Sequence, residues 1–294
     1  MENRYSYTPD IEAINSSLDV IAANIDNALS EKVLEKCMSL MDLTTLRPED
    51  TPASVSKLVR KVNGFVKAFP MYPLPASVCV YPNFAALVKE GLDDGNVHVT
   101  CVSGCFPASQ SYLEVKVLES ELAVRNGADE IDIVLALNSF LSGDEESARN
   151  EIRTIREAVD KAGAEVGRKI TLKVILETGL LVSPENIAKA SFLAMEEGAD
   201  FIKTSTGKVS VNATPVAAYV MCECIKEYHA KTGRKVGFKA AGGISSAKDA
   251  VCYYMIVKSV LGDQWIDKSL FRFGVSRLAN SLMSAIEQKN VTYF

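Results

Sequence analysis

Residues 126–132 (Asn-Gly-Ala-Asp-Glu-Ile-Asp) and residues 197–203 (Glu-Gly-Ala-Asp-Phe-Ile-Lys) repeat one pattern, in which a Gly-Ala-Asp turn leads into a short run that contains an isoleucine. In each stretch a charged residue stands three positions after the aspartate of the turn, Asp132 in the first and Lys203 in the second. Strand side chains alternate between the two faces of a sheet, so we expect the isoleucine to face outward and the charged residue inward. The repeat therefore predicts two parallel strands that bring a carboxylate and a lysine to one site.

Short apolar runs and helical patterns alternate along the rest of the chain. Strands are predicted for residues 37–41, 77–81, 97–102, 130–135, 170–176, 201–203, 236–239 and 270–273. Helices are predicted for residues 51–62, 83–92, 112–126, 144–161, 184–197, 215–229, 247–260 and 275–288. Eight β/α units in about 250 residues favour an α/β fold of the (β/α)8 TIM-barrel type. The alternative, a doubly wound open sheet, usually has a glycine-rich turn after its first strand, where this chain has Asp-Leu-Thr-Thr at 42–45.

One domain is expected over residues 1–294, because no linker interrupts the alternation. Within it, residues 1–35 form an N-terminal helical extension, 36–290 the barrel and 291–294 a C-terminal tail. Residues 9–34 are predicted as one extra helix that covers the barrel bottom or an interface.

The composition indicates an ordinary globular protein, with 48% hydrophobic and 23% charged residues. A net charge of −5 gives no general attraction to nucleic acid. Seven cysteines without a paired spacing are typical of a reducing compartment, and only two histidines nearly exclude a multi-histidine metal site. No signal peptide and no run of 18 apolar residues is visible. We therefore expect a cytoplasmic protein that has no membrane partner.

Lys203 and Lys239 each end a short apolar run that continues into a loop, Thr-Ser-Thr-Gly at 204–207 and Gly-Gly at 242–243. A buried ammonium is unfavourable unless it is paired or loses its proton, and a neutral lysine can form a Schiff base with a carbonyl. Lowering a lysine pKa from about 10.4 to about 7 takes about 4.6 kcal/mol. A second cation about 4 Å away supplies about 4 kcal/mol at an effective dielectric constant of about 20. A neighbouring ammonium is thus predicted to cause most of the decrease in the lysine pKa, and desolvation the rest.

The alternative interpretation is that both lysines are simply ion-paired to inward carboxylates such as Glu130 or Asp132. Lys173, on the predicted fifth strand, fits that description equally well.

Glycines cluster in the loops after the last three predicted strands. Thr-Gly-Lys follows strand six at 206–208, Gly-Gly-Ile-Ser follows strand seven at 242–245, and Gly-Val-Ser follows strand eight at 274–276. Glycine lets backbone N–H groups approach an anion, and barrels of this type commonly bind phosphate with the loops after strands seven and eight. The three loops predict a phosphate site.

Several of these stretches closely resemble the 2-deoxyribose-5-phosphate aldolase family, from about Asp42 to the C-terminus. They are Asp-Leu-Thr-Thr-Leu at 42–46, Lys-Thr-Ser-Thr-Gly-Lys at 203–208, Val-Asn-Ala-Thr-Pro at 211–215, Val-Gly-Phe-Lys at 236–239 and Arg-Phe-Gly at 272–274. The resemblance implies a class I aldolase of deoxyribonucleotide catabolism, which cleaves 2-deoxy-D-ribose 5-phosphate reversibly to acetaldehyde and D-glyceraldehyde 3-phosphate without metal or cofactor. We also expect a homo-oligomer, a dimer or a tetramer.

By the same resemblance, Lys203 is the Schiff-base lysine, Lys239 the cation that lowers its pKa, and Asp132 the acid/base that acts through water. Asp42 and Lys208 are implied to hold polar groups of the substrate. The residues implied to hold the phosphate are Gly207, Gly242, Gly243, Gly274 and Ser276.

The chain departs from the family pattern at a few positions. Ser245 stands where a basic residue often follows the Gly-Gly turn, and Arg277 replaces a common serine, which would restore the positive charge. Ala240 stands where proline is frequent, and Tyr293 is penultimate where some members end in tyrosine. Three alternatives follow: a lysine aldolase of another sugar phosphate, a non-enzymatic scaffold on a degenerate aldolase fold, and a pyridoxal-phosphate enzyme, which visible absorbance would reveal.

Overall fold

The computed structural model describes residues 5–294, in which eight parallel strands close into a barrel. Each strand pairs with its neighbours along the chain, and the first pairs with the last. The strands are β1 (Met41–Thr44), β2 (Ser77–Val80), β3 (His98–Val102), β4 (Glu130–Val134), β5 (Thr171–Ile175), β6 (Phe201–Lys203), β7 (Gly237–Ala241) and β8 (Phe271–Val275). The predicted (β/α)8 barrel is confirmed.

Helices lie between successive strands and surround the barrel. They are α1 (Ile11–Ala28), α2 (Glu31–Ser39), α3 (Pro52–Ala68), α4 (Ala85–Gly91), α5 (Leu113–Arg125), α6 (Leu137–Leu141), α7 (Glu145–Glu165), α8 (Thr178–Leu181), α9 (Pro184–Glu196), α10 (Pro215–Thr232), α11 (Ala247–Leu261) and α12 (Leu278–Glu287). The short helices α6 and α8 follow β4 and β5 and were not predicted. Among residues 5–294, no helix is both long and apolar enough to cross a membrane.

Two element boundaries differ from the prediction in ways that matter. The first strand begins at Met41 and not at residue 37, because Leu34, Cys37 and Met38 recur at helical spacing and form the buried face of α2. At the other end of the sheet, β8 continues to Val275, so Gly274 lies within a strand and not in a loop.

The N-terminal extension contains two helices. The predicted extra helix is present as α1, whose first turn is capped by the side chain of Asp10. α1 packs mainly against α10 and α11 on the outside of the barrel, and the pattern beyond Ala28 forms the separate helix α2, which packs against α11 and α12. The extension therefore braces the outer helices.

Alternation along the strands separates two kinds of interior. Outward residues such as Ile131, Ile202 and Phe238 join the main apolar core beneath the helices. Inward residues include the buried charges described below and a small separate cluster of Leu46, Cys79 and Val102. The barrel thus encloses a polar centre, as the strand periodicity predicted.

Candidate active site

Seven charged side chains meet inside the barrel, and each is at most 3% exposed. They project from six of the eight strands. The cations are Lys173, Lys203, Lys239 and Arg272, and the carboxylates are Asp42, Glu130 and Asp132. Buried charges of this number persist only when they are paired with each other.

Asp132, on β4, lies at the centre of this cluster. It accepts hydrogen bonds from Lys173 at 3.0 Å, Lys203 at 2.9 Å and Lys239 at 2.8 Å. Burial alone would raise the pKa of Asp132, but the three lysines outweigh burial and hold its pKa well below the ordinary value. Asp132 is therefore a carboxylate, and the predicted meeting of Asp132 with Lys203 is confirmed.

Lys239, on β7, lies between two carboxylates. Its Nζ is 2.5 Å from Asp42 and 2.8 Å from Asp132, and the side chain is fully buried. Burial lowers the pKa of Lys239, but the two carboxylates raise it above the ordinary value. Lys239 is therefore held as an ammonium.

Lys203, on β6 directly opposite Lys239 in the strand register, has a different environment. It has one carboxylate partner, Asp132. The pKa of Lys203 is lowered, first by burial and then by the Lys239 ammonium, against the opposing effect of Asp132. Of the three interior lysines it is the one whose pKa falls.

Two sequence expectations change in the light of this geometry. The sequence predicted that Lys239 is the main cause of the lowered pKa of Lys203. This is wrong, because burial is the larger cause and Lys239 the second. The alternative of plain ion pairing holds for Lys173, which contacts Glu130 and Asp132 and whose pKa the carboxylates raise despite burial. Lys203 and Lys239 are ion-paired too, yet they differ in the number of carboxylates that each contacts.

Charge balance also favours a neutral Lys203. With every group ionised, the interior holds four cations against three carboxylates. If Lys203 is neutral, three cations face three carboxylates. A buried cluster favours the balanced state, because an uncompensated charge away from water is strongly unfavourable.

Glu130 and Arg272 form a second layer. The sequence predicted Glu130 only as a possible ion-pair partner of the lysines and gave Arg272 no role. Arg272 donates to Asp42 at 2.5 Å and to Glu130 at 2.7 Å. Glu130 also contacts Lys173 and the Nδ1 of His98, the latter at 2.7 Å. Burial opposes the ionisation of Glu130, but Lys173 and Arg272 hold its pKa well below the ordinary value. Alternation explains the inward position of Glu130, which stands two residues before Asp132 on one face of β4.

Asp42, implied to hold substrate, is fully buried between Lys239 and Arg272. Burial raises its pKa, but these cations lower it below the ordinary value. Its contacts hold Lys239 in place, and its direct contact with substrate stays a prediction. Lys208 lies in the loop after β6, where its Nζ donates to the carbonyl of Leu46 in the loop after β1 and so bridges the barrel mouth.

The glycine-rich loops converge at the C-terminal end of the strands. Gly207 and Gly242 both have left-handed backbones, with φ of 79° and 85°, and a Cβ on Gly207 would lie 4.0 Å from the Cα of Gly242. Gly243 is exposed with φ of 82°, and a Cβ there would meet no atom within 4 Å. Ser276 is exposed at the end of β8. Gly207, Gly243 and Ser276 are therefore open to solvent, while Asn212 lies against Gly242.

Gly274 has a different position from the other predicted phosphate residues. It faces inward within β8, and a Cβ there would lie 3.1 Å from the Cε of Lys239 and 2.8 Å from the Cβ of Ala241. Its missing side chain makes room for Lys239. The prediction that places Gly274 in a loop is wrong, while a contact of its backbone with phosphate stays a prediction.

Glu177, at the end of β5, is a further residue that the sequence did not single out. It is buried in a left-handed conformation with φ of 55°. Its carboxylate accepts a hydrogen bond from the backbone N–H of Thr206 at 3.1 Å and also contacts the Thr206 hydroxyl. Glu177 therefore fixes the turn that precedes Gly207.

Two of the changes from the family pattern lie beside these loops. Arg277 is exposed next to Ser276 and forms no ion pair with any of residues 5–294. Ser245 is exposed, and its N–H donates to Asp249 at 3.1 Å. A free guanidinium thus stands at the edge of the predicted anion site.

The opposite wall of the barrel mouth is apolar. Leu46, Cys79 and Val102 pack together, with Tyr81 and Phe106 against them. Burial raises the pKa of the Cys79 thiol above its ordinary value, although Lys239 opposes this. The site therefore has a cationic, glycine-rich side and an uncharged side.

The C-terminal tail lies away from this mouth. Tyr293 packs against Phe65 and Phe69, and its hydroxyl donates to the carbonyl of Lys61 at 2.8 Å. Its hydroxyl is therefore engaged on α3. In the described part of the chain, no group of three or more His, Cys, Asp or Glu residues has the geometry to hold a metal ion.

Comparison with known proteins gives consistent matches. The family model described as DeoC/LacD family aldolase matches residues 36–276. The human deoxyribose-phosphate aldolase is 41% identical over 266 residues, which cover 87% of this chain and 80% of the human protein. The bovine deoxyribose-phosphate aldolase is 42% identical over 258 residues, which cover 83% of this chain and 78% of the bovine protein. A solved tetrameric deoxyribose phosphate aldolase from Aeropyrum pernix is 25% identical, with a TM-score of 0.65 over 94% of this chain and 98% of that one.

Proposed function

The chain belongs to the DeoC/LacD aldolase family, and from this membership we propose that it is a Schiff-base aldolase that cleaves 2-deoxy-D-ribose 5-phosphate reversibly to acetaldehyde and D-glyceraldehyde 3-phosphate. The observation that carries the proposal is the environment of Lys203. It is the interior lysine with one carboxylate partner and a lowered pKa, and it lies at the mouth of the barrel.

The first chemical step needs an uncharged amine. Neutral Lys203 attacks the aldehyde carbon of the open-chain sugar, and the carbinolamine then loses water to give an iminium ion. The iminium carries a fixed positive charge at a position where Lys203 is 2.9 Å from Asp132. Asp132, already a carboxylate, stabilises that charge without rearrangement.

Cleavage of the bond between C2 and C3 requires that the hydroxyl on C3 lose its proton. The electron pair of the broken bond moves into the iminium and gives an enamine, while C3 becomes the aldehyde of glyceraldehyde 3-phosphate. We assign the proton transfers to Asp132 acting through water, since its carboxylate lies beside Lys203. Protonation of the enamine and hydrolysis of the resulting iminium release acetaldehyde and restore Lys203.

The phosphate would bind at the convergent loops of Gly207, Gly242 and Gly243, with Ser276 and Arg277 at their edge. Their backbones are open to solvent, and the exposed guanidinium supplies a positive charge. Binding energy at this end of the sugar orients the reacting carbon against Lys203. The uncharged wall at Cys79 would then face the unsubstituted C2.

We also place the protein in the cytoplasm, in the catabolism of deoxyribonucleotides, and propose that it is a homo-oligomer. The tetrameric A. pernix relative supports an oligomer. The intact set of Asp132, Lys203 and Lys239 argues against a scaffold on a degenerate aldolase fold.

Borohydride trapping with acetaldehyde tests the proposal. Reduction of the iminium should attach a two-carbon group to Lys203, which peptide mass spectrometry would locate. Lys208, exposed on the same face, is the internal control for non-specific labelling. Labelling exclusively at Lys173, Lys208 or Lys239 would refute the assignment. Comparison of cleavage rates across phosphorylated sugars then distinguishes deoxyribose phosphate from another substrate of a lysine aldolase.

A further inference from the structure

Helix α5 buries two polar residues beside Ala123 and Val124, and it exposes three aliphatic residues to solvent. Lys116 and Ser120 are buried on its inner face. Val115, Leu118 and Leu122 are 48%, 54% and 47% exposed on its outer face. The aliphatic residues of a surface helix usually face the core, so the exposed outer face of Val115, Leu118 and Leu122 needs an explanation.

Contacts on the inner face fix the rotation of α5. Lys116 donates to Glu151 on α7 at 2.7 Å and to Ser109 at 3.0 Å. The hydroxyls of Ser120 and Ser103 are 2.8 Å apart. Turning the helix to bury the aliphatic side chains would break these buried contacts, which is strongly unfavourable.

Two polar contacts of α5 also support the candidate active site. Glu119 accepts a hydrogen bond from the backbone N–H of Cys105 at 2.7 Å, and Lys116 holds Ser109. These two contacts tie down both ends of the loop that carries Phe106 to the apolar wall of the mouth. These polar contacts of α5 therefore have a role, whereas nothing among residues 5–294 accounts for its exposed aliphatic face.

Neither end of the described chain covers this outer face. Tyr5 packs on Phe192 of α9 and Tyr228 of α10. Phe294 packs on Phe65 of α3. The helices next to α5 are α4 and α7. They lie between α5 and the helices that Tyr5 and Phe294 contact.

The outer face of α5 is complementary to itself. Val115, Leu118 and Leu122 recur at spacings of three and four, which is the pattern of a helix that packs along another helix. In an antiparallel pair centred near Leu118, Val115 of one copy faces Leu122 of the other. Tyr112, 80% exposed, then faces Arg125 of the second copy, which favours a cation–π contact.

The charges fit the same arrangement. Glu114 is exposed at the start of α5 and Arg125 at its end, so an antiparallel pair brings opposite charges to both ends. Arg125 also bonds Glu121 and Glu165, which gives the apolar stripe a charged rim. An apolar centre with a polar rim is the usual anatomy of a protein interface.

We propose that α5 is the two-fold interface through which a second copy of this chain binds. The stripe from Tyr112 to Leu122 is about 15 Å long and forms the centre of the interface. A stable interface buries about 800 Å² per partner, so we expect it to extend over the helices that flank α5. Pairing at α5 would also hold the loop of Phe106, and so one wall of the site. The inference specifies the surface of the homo-oligomer proposed above.

Sedimentation analysis of Leu118→Glu tests the interface. The wild-type chain should sediment as a dimer or as a multiple of dimers, and the variant at half that mass, because two glutamates would face each other at the two-fold axis. Val20→Glu is the matched control, since Val20 is 64% exposed on α1, and it should keep the wild-type mass. Circular dichroism and borohydride labelling of Lys203 would show that the variant is folded.

A second variant keeps the test decisive if Leu118→Glu does not fold. Leu118→Cys should form a disulfide-linked dimer on mild oxidation, whereas Val20→Cys should not. A monomeric wild-type protein, an unchanged mass for Leu118→Glu, or the absence of the Leu118→Cys cross-link would overturn the interface. None of these outcomes affects the aldolase assignment, because the borohydride test reports on Lys203 alone.

Discussion

Replacing Lys239 by leucine should shift the activity profile toward alkaline pH. Lys239 is fully buried, so the change removes a charge without removing a surface that substrate can touch. Its ammonium is the second cause, after burial, of the lowered pKa of Lys203. Without the Lys239 ammonium, burial is the main effect that still opposes Asp132, and the pKa of Lys203 should rise.

The magnitude follows from the strand geometry. Lys203 and Lys239 are direct partners in the register of β6 and β7, and neighbouring strands lie about 4.8 Å apart. Two charges at that separation interact by about 3.5 kcal/mol at an effective dielectric constant of about 20. This corresponds to a rise of at most about 2.5 in the pKa of Lys203. Burial still lowers this pKa in the variant. At neutral pH the neutral fraction of Lys203 should then fall by about a factor of 300 at most.

The assay is kcat/KM against pH for wild type and Lys239→Leu, together with the pH dependence of borohydride labelling at Lys203. Lys173→Met is the matched control, because Lys173 is an equally buried lysine that contacts Asp132. It should change turnover without the same alkaline displacement. Circular dichroism is needed for both variants, since breaking a buried ion pair costs about 3–5 kcal/mol of stability. An unchanged profile with a near-normal rate at pH 7 would show that burial alone tunes Lys203.

Three further predictions concern the rest of the site. Asp132→Asn should keep substrate binding and lower turnover by about 10²–10⁴, the usual effect of a general acid–base group, and steady-state kinetics with unaltered kcat would contradict the role. Gly243→Val should reduce kcat/KM for the phosphorylated sugar much more than for free deoxyribose. Gly233→Val, at another exposed glycine with a left-handed backbone, should affect neither sugar. An equal loss on both sugars would show that the loop of Gly243 does not bind the phosphate. The lowered pKa of Glu130 means that its ionised form stabilises the fold above the unfolded value of 4.5, and this stability is lost as pH falls below that value toward the folded pKa. Chemical denaturation from pH 7 to pH 3 should therefore show a smaller loss for Glu130→Gln than for wild type, and parallel curves would contradict it.

Local patterns predicted most of the fold. Thr51, Ser183 and Thr214 each precede a proline, and their side-chain oxygens accept hydrogen bonds from backbone N–H groups three residues on. Alternation along β4 and β6 is sufficient to predict that Asp132 and Lys203 face the interior. The errors, at residues 37–40 and at Gly274, fall at element ends, where a short apolar run fits helix and strand equally well.

The sequence by itself determined that this chain is a barrel with lysines at the ends of two strands, because strand periodicity and helix caps depend on neighbours along the chain. Only the tertiary structure showed why the pKa of Lys203 falls while those of Lys173 and Lys239 rise. Closure of the barrel brings Asp42, from the first strand, to Lys239 on the seventh and leaves Lys203 with Asp132 alone. The physical reason is that a pKa depends on burial and on charges in space, and barrel closure joins residues that are far apart in the chain.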